Sequence, residues 1–66
     1  MKNNVRNERV AVKLTQEDLA KKIGVSRQTI NAMESNKYIP STVLALKVAL
    51  VLQKKVEDLF FLEDDD

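Results

Sequence analysis

Apolar residues recur at intervals of three and four through the middle of the chain, which is the spacing of one face of a helix. The pattern predicts one helix over about residues 16–23 and another over about residues 27–35. Gly24 lies between them and is the only glycine of the chain. Glycine readily adopts the left-handed conformation that ends many helices. We therefore predict two short helices joined by a tight turn.

Three further helices are predicted, and no strand. The first covers about residues 4–12 and has a weak apolar pattern, because Glu8 occupies a position where an apolar residue is expected. The fourth, residues 42–52, is apolar on nearly every side, which is typical of a helix at the centre of a core. A short fifth helix is predicted at about residues 56–61, and the acidic residues 62–66 are expected to be frayed.

Polar residues at the predicted helix ends support these boundaries. Thr15 and Asp18 have the spacing of a capping box, and Ser26 and Ser41 stand where an N-cap is expected. Asn36 follows the third helix and can take the place of glycine at a left-handed position.

The length of 66 residues allows one domain, 1–66, which we predict to be all-α. A domain of this size buries only about 60% of its unfolded surface, so its stability is marginal. The chain has no cysteine and no histidine, so we expect no disulfide, no metal and no cofactor. Association of two copies is the remaining source of stability. With no long apolar run and a polar start, the chain is expected in the cytoplasm, without membrane contact.

Charge is divided unevenly along the chain. All 11 Lys and Arg lie within residues 1–55, which contain four acidic residues, whereas residues 56–66 contain six acidic residues and no basic one. A basic body attracts a polyanion such as nucleic acid at long range. The same asymmetry is also found on ordinary solvated surfaces with an acidic tail.

The polar face of the third helix carries Arg27, Gln28 and Asn31. Arginine pairs with the O6 and N7 atoms of guanine, and glutamine or asparagine pairs with adenine, in the major groove of DNA. The second helix of a helix-turn-helix is the one that enters this groove. We predict that these three side chains contact bases of double-stranded DNA; an exposed helix surface without a ligand is the alternative.

The run LTQEDLAKKIGVSRQTINAMESNKYIPS and the later VEDLFF resemble the Xre/Cro–CI family of helix-turn-helix DNA-binding proteins, over about residues 4–62. The length is similar to that of a subgroup of short, single-domain members. The resemblance implies a five-helix, Cro/CI repressor-like domain in which the second and third helices form the helix-turn-helix.

The resemblance also implies roles for individual residues. Contacts with DNA phosphates are implied for Gln16, Ser26, Lys37, Tyr38, Ser41 and Thr42. Gln16 is further implied to brace the recognition helix, and Arg9 and Glu34 match an internal ion pair. Three positions depart from the family pattern, and one of them is Glu8, which replaces a usual core residue. Ala32 stands where several phage repressors have a third base-reading glutamine, and Lys13 stands where glycine is usual.

The C-terminal run LFFL contains more apolar side chains than a short terminal helix can bury. We expect Leu59 and one phenylalanine to face the core and the others to form a dimer contact. The candidate residues of this contact are Val56, Phe60, Phe61 and Leu62. A two-fold dimer places two recognition helices about 34 Å apart, which matches half-sites one DNA turn apart.

These features favour a dimeric transcription regulator, a repressor that occupies a palindromic operator. The alternative is an antitoxin or another protein-interaction module that uses the same fold. Its acidic tail or apolar C-terminal patch would then bind a partner protein. We do not expect an enzyme, because the chain has no histidine, no cysteine and no glycine-rich phosphate loop.

Overall fold

The computed structural model describes all 66 residues as five helices and one two-stranded sheet. The elements are β1 (Lys2–Asn3), α1 (Val5–Ala11), α2 (Gln16–Ile23), α3 (Arg27–Glu34), α4 (Thr42–Leu52), α5 (Val56–Leu59) and β2 (Phe60–Phe61). All five predicted helices are present. None of them has both the length and the apolar character that crossing a bilayer requires.

The sheet is the part of the fold that the sequence did not predict. β1 and β2 pair antiparallel, with Lys2 opposite Phe61 and Asn3 opposite Phe60. Side chains alternate across a strand, so Phe60 is buried at 9% exposure whereas Phe61 remains 43% exposed. The fifth helix consequently ends at Leu59, two residues earlier than expected. Two residues are too few to show an alternating pattern, which is why the strands escaped prediction.

One core of twelve buried apolar residues holds the helices together, and its largest fully buried members are Leu19, Ile30, Met33, Leu59, Val5 and Val48. These residues come from all five helices. α2 packs against both α3 and α4. The helix-turn-helix formed by α2 and α3 is therefore seated on the core through its apolar side, which leaves the polar side of α3 facing outward.

The predicted caps are confirmed. The Thr15 hydroxyl accepts a hydrogen bond from the Asp18 N–H, and the Thr15 N–H donates to the Asp18 carboxylate, both at 3.0 Å. The hydroxyls of Ser26 and Ser41 each accept a bond of 3.2 Å from the N–H three residues later. These bonds satisfy N–H groups that have no partner within their own helix, so they fix where α2, α3 and α4 begin.

Four residues have left-handed backbone conformations. Gly24 (φ 79°) and Asn36 (φ 61°) do so as predicted, and Lys13 (φ 62°) and Gln53 (φ 56°) do so in addition. Lys13 links α1 to α2 at the position where the family resemblance leads one to expect glycine. Its Cβ atom makes this conformation unfavourable, so the turn before the helix-turn-helix is strained.

One expectation about packing is wrong. α4 is not enclosed on every side: Val43, Leu46 and Leu50 are 62%, 56% and 79% exposed. Lys47, the only charged residue of this helix, is exposed on the same side. In the acidic tail, the Glu63 N–H donates to the Asp66 carboxylate at 2.7 Å, and residues 62–66 are all exposed.

Candidate nucleic-acid interface

A buried carboxylate anchors the end of α3. Glu34, the last residue of α3, has a side chain with no solvent exposure. Arg9 of α1 donates to its two oxygens, from Nε at 2.7 Å and from Nη2 at 3.1 Å, and also donates from Nη1 to the Leu14 carbonyl at 2.7 Å. Paired bonds between ionised groups are the strong ones in proteins. The ion pair implied by the resemblance is therefore present and joins α1 to α3.

Gln16 links the two helices of the helix-turn-helix directly. Its side-chain nitrogen, Nε2, donates to Glu34 Oε1 at 3.1 Å and to Asn31 Oδ1 at 3.3 Å. An amide nitrogen carries two N–H groups, so both are used by these two bonds. The first residue of α2 thus braces α3 at two points, one buried and one at the surface.

The three expected base-reading residues lie together on the surface. Arg27, Gln28 and Asn31 are exposed, and with Gln16 they line a shallow depression of about 180 Å³ that has no apolar residue in its wall. A guanidinium and three amides thereby converge on the outward face of α3. Such a surface offers both hydrogen-bond donors and acceptors to a ligand that carries a pattern of polar edges.

Most of the residues expected to contact phosphates lie at the surface of the domain. Lys37, Tyr38, Ser41 and Thr42 are all exposed. Tyr38 flanks α3 in a groove that it shares with Gln28, Thr29 and Ala32. The Ser26 hydroxyl, already engaged as a cap, also lies 2.9 Å from the hydroxyl of Thr29.

Two lysines for which no DNA contact was predicted line neighbouring grooves. Lys13 lines one groove with Gln16 and Arg27, and Lys47 lines another with Tyr38 and Ser41. No motif marks either residue. Their positions follow from the turn before α2 and from the packing of α4, neither of which is visible in a local pattern.

The expected dimer contact requires one correction. Phe60 belongs to the core, since its side chain points inward from β2. Phe61 and Leu62 remain exposed, at 43% and 84%. Val56 is half-buried and lines a small apolar hollow of about 200 Å³ that Leu46 of α4 also borders. This hollow joins the start of α5 to α4 and has Phe60 in its wall, but neither Phe61 nor Leu62.

Comparison with known proteins identifies this architecture. Residues 5–59 match the helix-turn-helix family model, which covers α1 to α5. The chain belongs to the Xre/Cro–CI helix-turn-helix family. As a member of that family, it is a transcriptional regulator with a helix-turn-helix DNA-binding domain. The family is one of DNA-binding regulators and not of enzymes.

Individual relatives agree with this assignment. The chain is 56% identical to an HTH-type transcriptional regulator of Methanocaldococcus jannaschii over 66 residues, which is 100% of both chains. It is 42% identical to the HTH-type transcriptional regulator YgzD of Bacillus subtilis, again over 100% of both. Among solved structures, it is similar to the restriction-modification controller protein C.AhdI from Aeromonas hydrophila. The TM-score is 0.79 at 34% identity, over 85% of each chain.

Proposed function

We propose that this helix-turn-helix protein is a repressor that binds a palindromic operator as a homodimer, with α3 of each copy in the major groove. One observation carries the proposal: Gln16, Arg27, Gln28 and Asn31 converge on the outward face of α3. The opposite side of the same helix is held by the core and by the buried Glu34. A rigid helix with such an outward face is suited to reading base edges.

Arg27 and Gln28 are the proposed principal base contacts. They occupy the first turn of α3, the part of a recognition helix that reaches furthest into the groove. A bidentate bond from arginine to guanine discriminates against other bases by about 1–3 kcal/mol. Ala32 offers only a methyl group, which suits contact with the methyl group of thymine.

The phosphate contacts are proposed to come from the rim of this surface. Ser26, Lys37, Tyr38, Ser41 and Thr42 supply side chains, and such contacts position a protein on DNA without reading its sequence. For Gln16, the contact is assigned to the main-chain N–H, because both side-chain N–H groups are engaged. First-turn N–H groups are free at a helix start and attract anions there.

Dimerisation is proposed through the exposed Phe61 and Leu62 together with Val56, which shares an apolar hollow with Leu46 of α4. Leu62 is 84% exposed, which leaves an apolar side chain in water in the single chain. A two-fold contact here covers that surface in both copies and adds stability that a 66-residue chain needs.

Selection of bound duplexes from a random pool tests the proposal. The wild type is expected to enrich a palindrome with half-sites about one turn apart. The variants Arg27→Ala and Gln28→Ala are each expected to bind the selected duplex about 5- to 150-fold more weakly, with an unchanged circular dichroism spectrum. Arg27→Lys is the matched control, since it keeps the charge and loses the bidentate geometry.

The Arg27→Lys variant distinguishes recognition of the base sequence from electrostatic attraction to DNA. If Arg27→Lys binds the selected duplex as tightly as the wild type, Arg27 contributes charge alone. If no sequence is enriched by the wild type, the repressor proposal is wrong.

The uncovered apolar surface also favours a second candidate, binding of a partner protein as an antitoxin or an interaction module. Light scattering of the purified protein distinguishes the two. A dimer that persists at micromolar concentration supports a self-contact, and it is expected to dissociate in Leu62→Asp. A monomer that co-purifies with another chain through the same surface supports the second candidate.

A further inference from the structure

Lys13 combines a strained backbone with a position beside the outward face of α3. We propose that its ammonium group binds a phosphate of the DNA backbone, and that the strained conformation is retained because a lysine at this position supplies that charge. The inference rests on the proposed DNA-binding function and adds to it a phosphate contact from the turn before α2.

The end of α1 explains why residue 13 is left-handed. The Lys13 N–H donates to the Val10 carbonyl at 2.9 Å. The Leu14 N–H donates to the Arg9 carbonyl at 3.1 Å. Together these bonds form a Schellman motif, in which the left-handed residue is usually glycine. The motif accounts for the conformation of Lys13 (φ 62°), but it does not account for a lysine in it. Strained residues are found preferentially at functional sites, which suggests a role for the side chain.

The groove beside Lys13 indicates what that role is. Lys13 lines this groove with Gln16 and Arg27, which also line the depression on the outward face of α3. No other lysine of the chain lines a groove with a residue of that depression. Gln53 has the same left-handed conformation (φ 56°) but lines none of these grooves. Strain and location therefore coincide at Lys13 alone.

The charges around the groove leave the ammonium group of Lys13 available to an anion. Lys13 is exposed and forms no ion pair within the chain. Arg9, in the same groove, is neutralised by the buried Glu34. Glu17 is the only acidic residue that lines the groove, and Lys13 and Arg27 together outweigh it. The groove is therefore net positive.

A duplex presents phosphates to such a groove. A helix in the major groove lies between the two sugar–phosphate backbones, so a cation beside that helix meets phosphate oxygens. Lysine binds phosphate as a flexible point charge and needs no fixed geometry. The contact therefore contributes to affinity without reading the sequence of bases.

The salt dependence of DNA binding tests this contact. Each phosphate neutralised by a protein cation contributes about 0.9 to the slope of log affinity against log salt concentration. Lys13→Ala removes the charge and keeps the backbone strain. Its slope is expected to be smaller by about 0.9 for each copy bound. The affinity advantage of the wild type then falls about 3- to 4-fold per copy between about 50 and about 200 mM salt.

Two duplexes are used, the one obtained by selection and an unrelated one of the same length. The change in slope is expected on both, because a phosphate contact carries no sequence information. The preference of Lys13→Ala for the selected duplex over the unrelated one is expected to remain that of the wild type.

Three control variants separate charge from strain. Lys13→Gly removes the charge and also relieves the strain, so it is expected to have the slope of Lys13→Ala but to unfold at a higher urea concentration. Gln53→Gly relieves the same kind of strain elsewhere and is expected to bind DNA as the wild type does. Lys55→Ala removes an exposed lysine that lines none of these grooves, and its slope is expected to stay at the wild-type value.

The inference is wrong if Lys13→Ala has the wild-type slope. It is also wrong if Lys13→Ala and Lys13→Gly differ in slope, because binding then follows the backbone, or if Lys55→Ala lowers the slope equally, because net charge then explains the effect. Failure of the repressor proposal looks different: no sequence is enriched, whereas the slopes are still measurable on any duplex. Without binding to any duplex, both proposals are wrong.

Discussion

Replacing Glu34 with alanine leaves the guanidinium of Arg9 buried without its anion. Arg9 is only 8% exposed, and its two bonds to Glu34 are 2.7 and 3.1 Å long. Removing one partner of a buried pair costs about 3–5 kcal/mol, because the remaining charge stays desolvated. A domain of this length has a free energy of unfolding of roughly 3–10 kcal/mol. Glu34→Ala is therefore expected to remove a large part of the total stability.

Urea unfolding, followed by far-ultraviolet circular dichroism at one protein concentration, measures this loss. Lys54→Ala is the control, since Lys54 and Glu8 form an exposed pair at 3.9 Å that is worth about 0–1 kcal/mol. The double variant Arg9→Met, Glu34→Leu replaces both charges with apolar groups. It is expected to recover most of the stability that Glu34→Ala loses, because no charge is left buried.

The reasoning is refuted if Glu34→Ala and Lys54→Ala cost the same, since burial then makes no difference to the pair. It is also refuted if the double variant is as unstable as Glu34→Ala. That result would show that the two side chains matter for their shape and not for the balance of their charges.

Three further predictions concern the helix ends. Lys13→Gly is expected to raise the free energy of unfolding by about 0.5–1 kcal/mol in urea titration, and Lys13→Ala to leave it unchanged, because only glycine relieves the left-handed strain (φ 62°). A Cβ atom added in Gly24→Ala meets no neighbouring atom, so the expected loss of about 1–2 kcal/mol in the free energy of unfolding comes only from the left-handed conformation at φ 79°. A larger loss in the same titration would indicate a clash. Hydrogen bonds with Thr15 lower the pKa of Asp18 below its usual 3.8; the bond with the Thr15 N–H has the larger effect and the bond with the Thr15 hydroxyl the smaller one. The Asp18 carboxylate therefore adds stability above that value and loses it as the pH falls through the lower folded pKa. The stability difference between the wild type and Asp18→Ala, measured by thermal unfolding, is expected to shrink as the pH falls from about 5 to about 2, and a constant difference would contradict this.

Those parts of the fold that depend on near neighbours in sequence were predictable. The caps at Thr15, Ser26 and Ser41 and the left-handed turn at Gly24 each follow from residues within one or two helical turns. The exposure of Arg27, Gln28 and Asn31 follows from the same periodicity that buries Ile30 and Met33. Local chemistry is sufficient for these features because a helix brings residues three and four apart onto one face.

Features that depend on distant partners were not predictable. The pairing of β2 with β1, at the other end of the chain, decides whether Phe60 or Phe61 faces the core. The bond from Gln16 to Asn31 depends on the angle between two helices. Within α4 beyond its first residue, Lys47 alone marks the exposed side, so the extent of the covered side depends on which elements pack against the helix.

The short sheet has a consequence for the order in which the chain folds. The contacts between α2 and α3 join residues that are close in sequence, whereas the pairing of Lys2 with Phe61 closes a loop of nearly the whole polypeptide. Closing a long loop costs entropy before any contact repays it, so this pairing forms late. We therefore expect α2 and α3 to pack together early in folding and the pairing of the two chain ends to be the last step.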